Sequence, residues 1–475
     1  MTDFSHHRAP GFYEIFVVLK HRWSDVATVV VLIIAVAVFF CPPPSGATPT
    51  AMHAAALILL TIGLWALGSI PEHVTAMLFF LLAMVLAIAK PQVVFSAFTS
   101  SAIWLVFGGL FIAHAVGTTG LGKRFAGVLF DRYTSSYGAL LVAVAVAATL
   151  LSFFMPATVG RMLLLVPIVV ALAERVGFER GSNGYHGLVL TALIISFQSG
   201  TGILPANTPN LVLAGASEAL YGVHVIYAEW LWVMFPVLVA LKGAILVWLV
   251  WRLYPATVQT ARAATANAAM STAERRLAFI LALALLLWTT DFMHGLRAGW
   301  VALAAAVVCL VPRIGVLSAT AFNEVRFGPF FYIGATIGLG AMAQESGLGN
   351  MLGELLRSTF ALHAGADFAN FLTLSTLATF VGVLATNAAQ PALLAPLAGQ
   401  FAEATGWPIN AVLMTMAVGF NIMLMPYQVP PLVVGMQVGG VSLRAALRVT
   451  LPLAAVSFLL LPVEYLWWRM IGYFG

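Results

Sequence analysis

Apolar runs, each close to the roughly 20 residues that a helix needs to cross a hydrocarbon core of about 30 Å, recur along this chain and leave no stretch long enough for a soluble domain of any size. Hydropathy places eleven spans, at 25–41, 52–69, 74–90, 104–122, 186–217, 229–251, 278–292, 297–312, 328–347, 409–438 and 449–472. With 61% hydrophobic and 8% charged residues and a mean hydropathy of +1.00, the chain is an all-α, polytopic membrane protein. The net charge of +5 and pI of 9.3 come from basic residues scattered through short loops, not from a stripe with interleaved aromatics, so nucleic acid is not an expected partner. Two cysteines, Cys41 and Cys309, are too few for a disulfide framework. No small-x-small cleavage pattern precedes "CPPPSG", and the first apolar segment reads as an uncleaved span.

Two further apolar runs, 138–174 and 367–403, are too long for one straight span, since about 37 residues of helix would measure about 55 Å. Each is interrupted at its midpoint, by "MPATVG" and by "TNAAQP", and so reads as two half-helices meeting at a tip inside the membrane. A kinked helix with a long extension is the competing reading. Irregular backbone at that depth persists only where protein buries it or where it lines a polar cavity.

Threading the chain with a cytoplasmic N-terminus gathers Lys20, Arg22, Lys123, Arg124, Arg132, Arg175, Arg180, Arg252, Arg262, Arg275, Arg276, Arg313, Arg326, Arg444 and Arg448 on one face. That asymmetry is the one expected of a cytoplasmic face, here that of a bacterial inner membrane, and it puts the C-terminus outside. Features also recur in order. "TTGLGKRFAGVL" resembles "ESGLGNMLGELL", "PATVGRMLLLVP" resembles "ATNAAQPALLAP", and "NTPNLVLAG" resembles "QVPPLVVG". The expected organisation is therefore a tail and first span (1–51), a first repeat (52–256), a polar cytoplasmic linker (257–277) and a second repeat (278–475). Each repeat holds one hairpin and one broken span, 186–217 in the first and 409–438 in the second. With five spans apiece, the repeats enter from opposite faces, the inverted plan of secondary transporters.

Four interrupted segments should meet near the midplane: tip one around Ala157, Thr158, Val159 and Arg161, the stretch 198–210, tip two around Thr386, Asn387, Ala388 and Gln390, and the stretch 421–431. Broken helices offer positive N-terminal ends to an anion and freed carbonyls to a small cation, so the pocket suits an anion entering with a cation.

On these residues the chain resembles the divalent anion:sodium symporters over nearly its whole length. Members carry Ser-Asn-Thr at each hairpin tip. Here Thr386 and Asn387 match the first two positions of tip two, with Ala388 in place of threonine, while Ala157, Thr158 and Val159 match tip one in register only. "SGTGILPANTPN" keeps the Gly200, Thr201, Thr208, Pro209 and Asn210 of the family's broken span, and "MPYQVPPL" keeps Pro430 and Pro431, with Gln428 and Val429 as departures. The resemblance implies a homodimer that carries a small anion across the bilayer by an elevator-type motion. It also implies substrate contacts at Thr158, Arg161, Thr208, Pro209, Asn210, Thr386, Asn387, Gln390 and Gln428. Coupling sodium would sit at Ala157, Thr158, Ser199, Gly200 and Thr201 in the first repeat. In the second it would sit at Thr386, Asn387, Ala388 and Met425, the better preserved site.

Arg161 is the departure with consequences. A charge at bilayer depth costs at least roughly 2.5 to 3.5 kcal/mol on insertion scales and usually marks function. The guanidinium either replaces a sodium ion or forks onto the anionic substrate, unless it is a structural arginine held by carbonyls; no carboxylate falls between residues 132 and 173. His114 reads as a packed polar residue more readily than as a proton relay, and Asp291 and His294 read as caps in a solvated outer turn. The expected cargo is a C4-dicarboxylate, citrate or sulfate, with sodium coupling reduced or altered by Arg161. An exchanger without cation coupling, or an anion channel, stays open. No CxxC, HExxH or buried nucleophile-base couple supports an enzyme.

Overall fold

Backbone that lies in lipid has to satisfy its own hydrogen bonds, and the regular structure of this protein is accordingly helical throughout the described residues. A computed structural model describes residues 12–44, 48–132, 136–155, 157–258, 269–349, 351 and 362–474, the side chains of 12–24 and 129–132 excepted. The expected tail 1–11, the linker centre 259–268 with Arg262, the side chain of Arg132, Pro156 of the first tip, and most of "NMLGELLRS" lie outside them.

The spans are found with shifted ends. The first helix, Phe12–Phe40, begins well before residue 25, and the expected span 104–122 is Ser101–Thr119, closed by Gly120 and followed by an amphipathic helix Leu121–Arg132. Both long runs fold back on themselves. Tyr137–Phe154 turns through Met155 into Thr158–Arg175, and Asp367–Leu384 turns through 385–389 into Gln390–Leu394 and onward to Ala398–Thr405. The broken spans are also interrupted. Asn183–Thr201 and Thr208–Tyr221 are separated by 202–207, and Ile409–Phe420 and Pro430–Val438 by 421–429.

The packing is reciprocal. Glu72–Val85 and Ser101–Thr119, the second and third spans of the expected first repeat, pack against Gly328–Glu345 and Ala298–Leu310, the third and second spans of the second. Hairpin one packs on Asn183–Thr201 and on Pro430–Val438, while hairpin two packs on Ile409–Phe420 and on Thr208–Tyr221. Each hairpin thus touches one half of its own broken span and one half of the other. This interlocking brings both tips and both breaks to one place.

Close approach of the scaffold helices depends on missing side chains. A Cβ on Gly299 would lie 2.0 Å from the Ser101 carbonyl oxygen, and one on Gly108 would lie 2.4 Å from the Ala302 carbonyl carbon, with backbone in both cases leaving no room to yield. Without hydrophobic drive between helices in lipid, such small-residue crossings supply the contact. Asp291, expected to be solvated, is buried, and its carboxylate accepts from the Tyr227 and Ala228 amides at 2.6 and 3.3 Å, capping the helix Tyr227–Met234 from another segment.

Gly→Ala inside a helix ordinarily stabilises by roughly 0.5 to 1 kcal/mol. The sign should reverse at Gly299, where overpacking costs about 1 to 3 kcal/mol or more, but not at Gly117 on the partner helix, where a Cβ meets nothing within 4 Å; thermal unfolding in detergent measures both. Asp291→Ala should lower stability by about 1 to 2 kcal/mol through the lost cap, in the same assay.

Candidate functional site

Each break exposes two kinds of helix end, and the structure sends them in opposite directions. The N-terminal ends of Thr158–Arg175, Thr208–Tyr221 and Pro430–Val438, together with tip two, face a cavity of about 310 Å³. Val159, Asn207, Thr208, Pro209, Thr386, Asn387, Ala388, Gln428, Pro430 and Pro431 line it on that side. Trp65, Glu72, Pro329 and Tyr332, from Pro49–Leu67, Glu72–Val85 and Gly328–Glu345, close the other wall. No lysine, arginine or histidine is among the described lining residues. The helix N-termini are therefore the nearest positive poles, each equivalent to roughly half an elementary charge.

On the other side of the two breaks lie two buried cations of the protein itself, Arg161 and Lys242. Arg161 is fully buried. Its Nη1 donates to the carbonyl of Met155, at the end of Tyr137–Phe154, and to that of Ala206 at 2.9 Å; its Nη2 donates to the Ser196 carbonyl at 2.8 Å and to Thr158 Oγ1 at 3.3 Å. All four acceptors are neutral oxygens, two of them, the Met155 and Ala206 carbonyls, freed or exposed by the hairpin turn and the helix break. Gly200 leaves the space: a Cβ there would stand 2.6 Å from Arg161 Nη2.

Lys242, from the last span of the first repeat, holds the corresponding place at the break of the second. It lies mid-membrane in the helix Tyr227–Leu253, directly after a π-helical turn, Phe235–Leu241, and is 2% exposed. Its Nζ donates to the Asn421 carbonyl at 2.9 Å and to Asn421 Oδ1 at 2.5 Å, just past the C-terminal end of Ile409–Phe420. Asn421 Nδ2 in turn donates to Thr201 Oγ1, so the two breaks are joined by a buried polar chain. Glu464 lies in the same region, fully buried, its Oε1 accepting from Trp468 Nε1 at 2.9 Å.

The sequence-derived residues divide between these environments. Thr208, Pro209, Thr386, Asn387, Ala388 and Gln428 line the cavity. Thr158, Arg161, Asn210 and Gln390 do not; they lie buried behind it. Asn210 Nδ2 ties the first break by donating to the Gly200 and Ile203 carbonyls at 2.8 and 3.0 Å, and Gln390 Nε2 reaches the Met416 carbonyl at 3.5 Å. Asn387 links tip two to its break, its amide donating to the Gln428 carbonyl at 2.9 Å and its Nδ2 to the Phe420 carbonyl at 2.8 Å. Gln428 Oε1 accepts from the Leu424 and Met425 amides, each at 2.8 Å, and the Met425 carbonyl accepts from the Gln428 amide. Ser199 pairs with Ser152 of hairpin one at 2.7 Å, and Thr201 Oγ1 donates to the Gln198 carbonyl. Ala157 is the cap residue of the second half-helix of hairpin one, and its carbonyl accepts from the Arg161 amide at 3.0 Å. His114 sits 3.3 Å from Glu324, away from the cavity.

Asn207, Lys242, Glu464 and Glu72 were not singled out from sequence. Lys242 carried the same signal as Arg161, a charge inside an apolar run; Asn207 sat beside residues that were chosen, within "PANTPN".

Comparisons with known proteins agree with this architecture. The family described as the transmembrane region of sodium:sulfate symporters matches residues 20–474. A membrane protein of Cupriavidus necator is 24% identical over 96% of this chain and 94% of its own length. A sodium-dependent dicarboxylate transporter of Staphylococcus saprophyticus is 21% identical over 80% and 79%, and an L-tartrate/succinate antiporter of Shigella flexneri 22% identical over 71% and 72%. The solved structure of the YdaH transporter of Alcanivorax borkumensis shares the fold, with a TM-score of 0.54 at 18% identity, over 90% of this chain and 99% of that one. Matched from residue 20 to residue 474, the chain belongs to the sodium:sulfate symporter family, the divalent anion:sodium symporters, and is a multi-pass membrane transporter, not an enzyme.

Proposed function

We propose that this protein carries small di- or multivalent anions of the C4-dicarboxylate, citrate or sulfate class across the membrane by an elevator-type motion. Arg161 and Lys242 take the place of coupling sodium ions, which makes anion exchange the favoured mode. The observation that carries the reading is the occupancy of both sets of break carbonyls by the chain's own cations. Unwound carbonyls and half-helix C-terminal ends are the groups that hold sodium in broken-helix transporters, and here they already accept from a guanidinium and an ammonium. Arg161 supports the anion electrostatically from beneath instead of forking onto it, because it does not reach the cavity wall.

The anion itself would sit between the tips. Backbone dipoles at three half-helix N-termini supply the positive pole, with Thr386 in the wall beside them and Asn387 and Gln428 fixing tip two to its break. The relatives named for sodium-dependent dicarboxylate transport and for L-tartrate/succinate antiport support this cargo class and leave both coupling modes within the family's range. On the positive-inside assignment, the scaffold ends at Trp65, Glu72 and Pro329 lie on the cytoplasmic side, so the cavity belongs to an inward-open state. The two inverted repeats supply the opposite state by exchanging their conformations, and a homodimeric scaffold provides the fixed frame. The reciprocal contacts of hairpins and broken spans support that division.

Counterflow in proteoliposomes tests the exchange mode. A labelled C4-dicarboxylate should exchange against an internal pool at the same rate in sodium and in potassium, and enter empty vesicles slowly. Accumulation driven by an inward sodium gradient would return the protein to symport. Arg161→Ala should cut exchange at least about tenfold, because several buried carbonyls lose their donor at about 1 to 3 kcal/mol each. Sodium should partly restore that variant while leaving the wild type unaffected. An Arg161→Ala protein that exchanges anions at the wild-type rate would reduce the guanidinium to a packing role.

A further inference from the structure

The cavity proposed to hold the anion has one ionisable carboxylate in its described wall, and its sign is wrong for a bare anion. Glu72 opens the helix Glu72–Val85 on the scaffold side, opposite the tips, and its side chain is exposed to the cavity. Among the described residues its carboxylate has no hydrogen-bond donor and no ion-pair partner; Trp65 Nε1 donates instead to its backbone carbonyl, at 3.1 Å. His73 and Tyr332 are the titratable groups near it, and neither is bonded to it. Trp65 and Tyr332 pack edge to face, with ring centroids 4.7 Å apart, and present an apolar surface beside the carboxylate. The cavity is thus polarised: helix N-termini and amides on the mobile side, an acceptor-only group on the scaffold side.

An acceptor left without a donor next to a bound ligand disfavours any ligand that offers it only further acceptors. Sulfate offers four oxygens, and an unsubstituted dicarboxylate turned end-on offers a second carboxylate. A carboxylate with a hydroxyl or ammonium near its far end offers a donor. We infer that Glu72 is a specificity-determining residue that selects organic anions bearing a hydrogen-bond donor, with the carboxylate end at the tips and the donor turned to the scaffold. This rests on the anion-transport reading and narrows its substrate class. A site built to hydrogen-bond a ligand group rejects the analogue that lacks it far more strongly than an apolar pocket rejects a size change.

Competition against one labelled anion in proteoliposomes at pH 7.5, with malate, aspartate, succinate and sulfate as competitors, tests the inference on the full-length protein. Wild type should prefer malate or aspartate over succinate by about tenfold, the scale of one hydrogen bond to a charged group, and should reject sulfate. Malate and aspartate separate a hydroxyl from an ammonium as the donor. Glu72→Gln should lose most of that preference and gain sulfate competition, while Glu72→Asp, which keeps the carboxylate, should retain the order of preference. An unchanged order in Glu72→Gln, or a uniform gain for all four anions, would overturn the assignment by making Glu72 a general repulsive charge or a bystander. Wild type that moves none of these anions would instead remove the transport reading, and this inference with it.

Discussion

Everything in this structure is arranged around the dipoles of helices that stop halfway across the membrane. A continuous helix keeps its unpaired amides and carbonyls at the bilayer surfaces, where water satisfies them; a broken one leaves both sets at depth, where nothing does so for free. Here the N-terminal ends converge on a cavity, and Arg161 and Lys242 lie on the other side of the breaks. The separation of poles turns a liability into two sites of opposite preference, one for anions and one for cations. It also explains why a buried guanidinium tolerates the absence of a carboxylate among its bonded partners: the carbonyl at the negative end of Tyr137–Phe154, one in the break and one inside Asn183–Thr201 supply the compensation.

Much of this was legible in the amino-acid sequence because run length and interruptions are local signals. A run of about 37 residues cannot cross once, and "MPATVG" and "TNAAQP" stand where the helices are interrupted, after Phe154 and after Leu384. Arg161 was legible for the same reason. What the sequence hid was partnership over long separations. Lys242 meets Asn421 across 179 residues, and Thr201 meets Asn421 across 220. Glu72 joins the cavity only because its helix packs beside Gly328–Glu345 and Pro49–Leu67. The expectation of a better preserved sodium site in the second repeat rests on Thr386 and Asn387, and the Lys242 bond to Asn421 beside them carries no signal in either segment alone.

Division of labour between the two faces of the breaks also accounts for polar side chains that spend their donors on backbone and not on the cavity. Asn210 and Asn387 spend their amides on backbone carbonyls of the breaks, at 2.8 Å each for the Gly200 and Phe420 oxygens. A break without such braces would be free to re-form a continuous helix or to admit water. Braced, it presents a fixed arrangement of N-termini, and the cost of ordering the site is met before the anion arrives.

Under the elevator-type motion proposed above, the same fixed charges bear on coupling. With sodium as the counter-charge, an unloaded carrier sheds its cations and returns near neutral, so net uptake is open to it. With Arg161 and Lys242 as the counter-charge, the unloaded body keeps two positive charges, each disfavoured at bilayer depth by at least roughly 2.5 to 3.5 kcal/mol on insertion scales. A bound divalent anion cancels them. On this account, loading and crossing are linked through Coulomb energy alone: the anion is at once cargo and permission to move, and exchange follows without any ion binding and unbinding on each cycle. Buried Glu464 does not offset that surplus by pairing: its Oε1 accepts from Trp468 Nε1, and among the described residues no bond joins it to the Lys242 ammonium. Enough positive charge therefore remains at the breaks for an anion, and not a neutral molecule, to be what releases them.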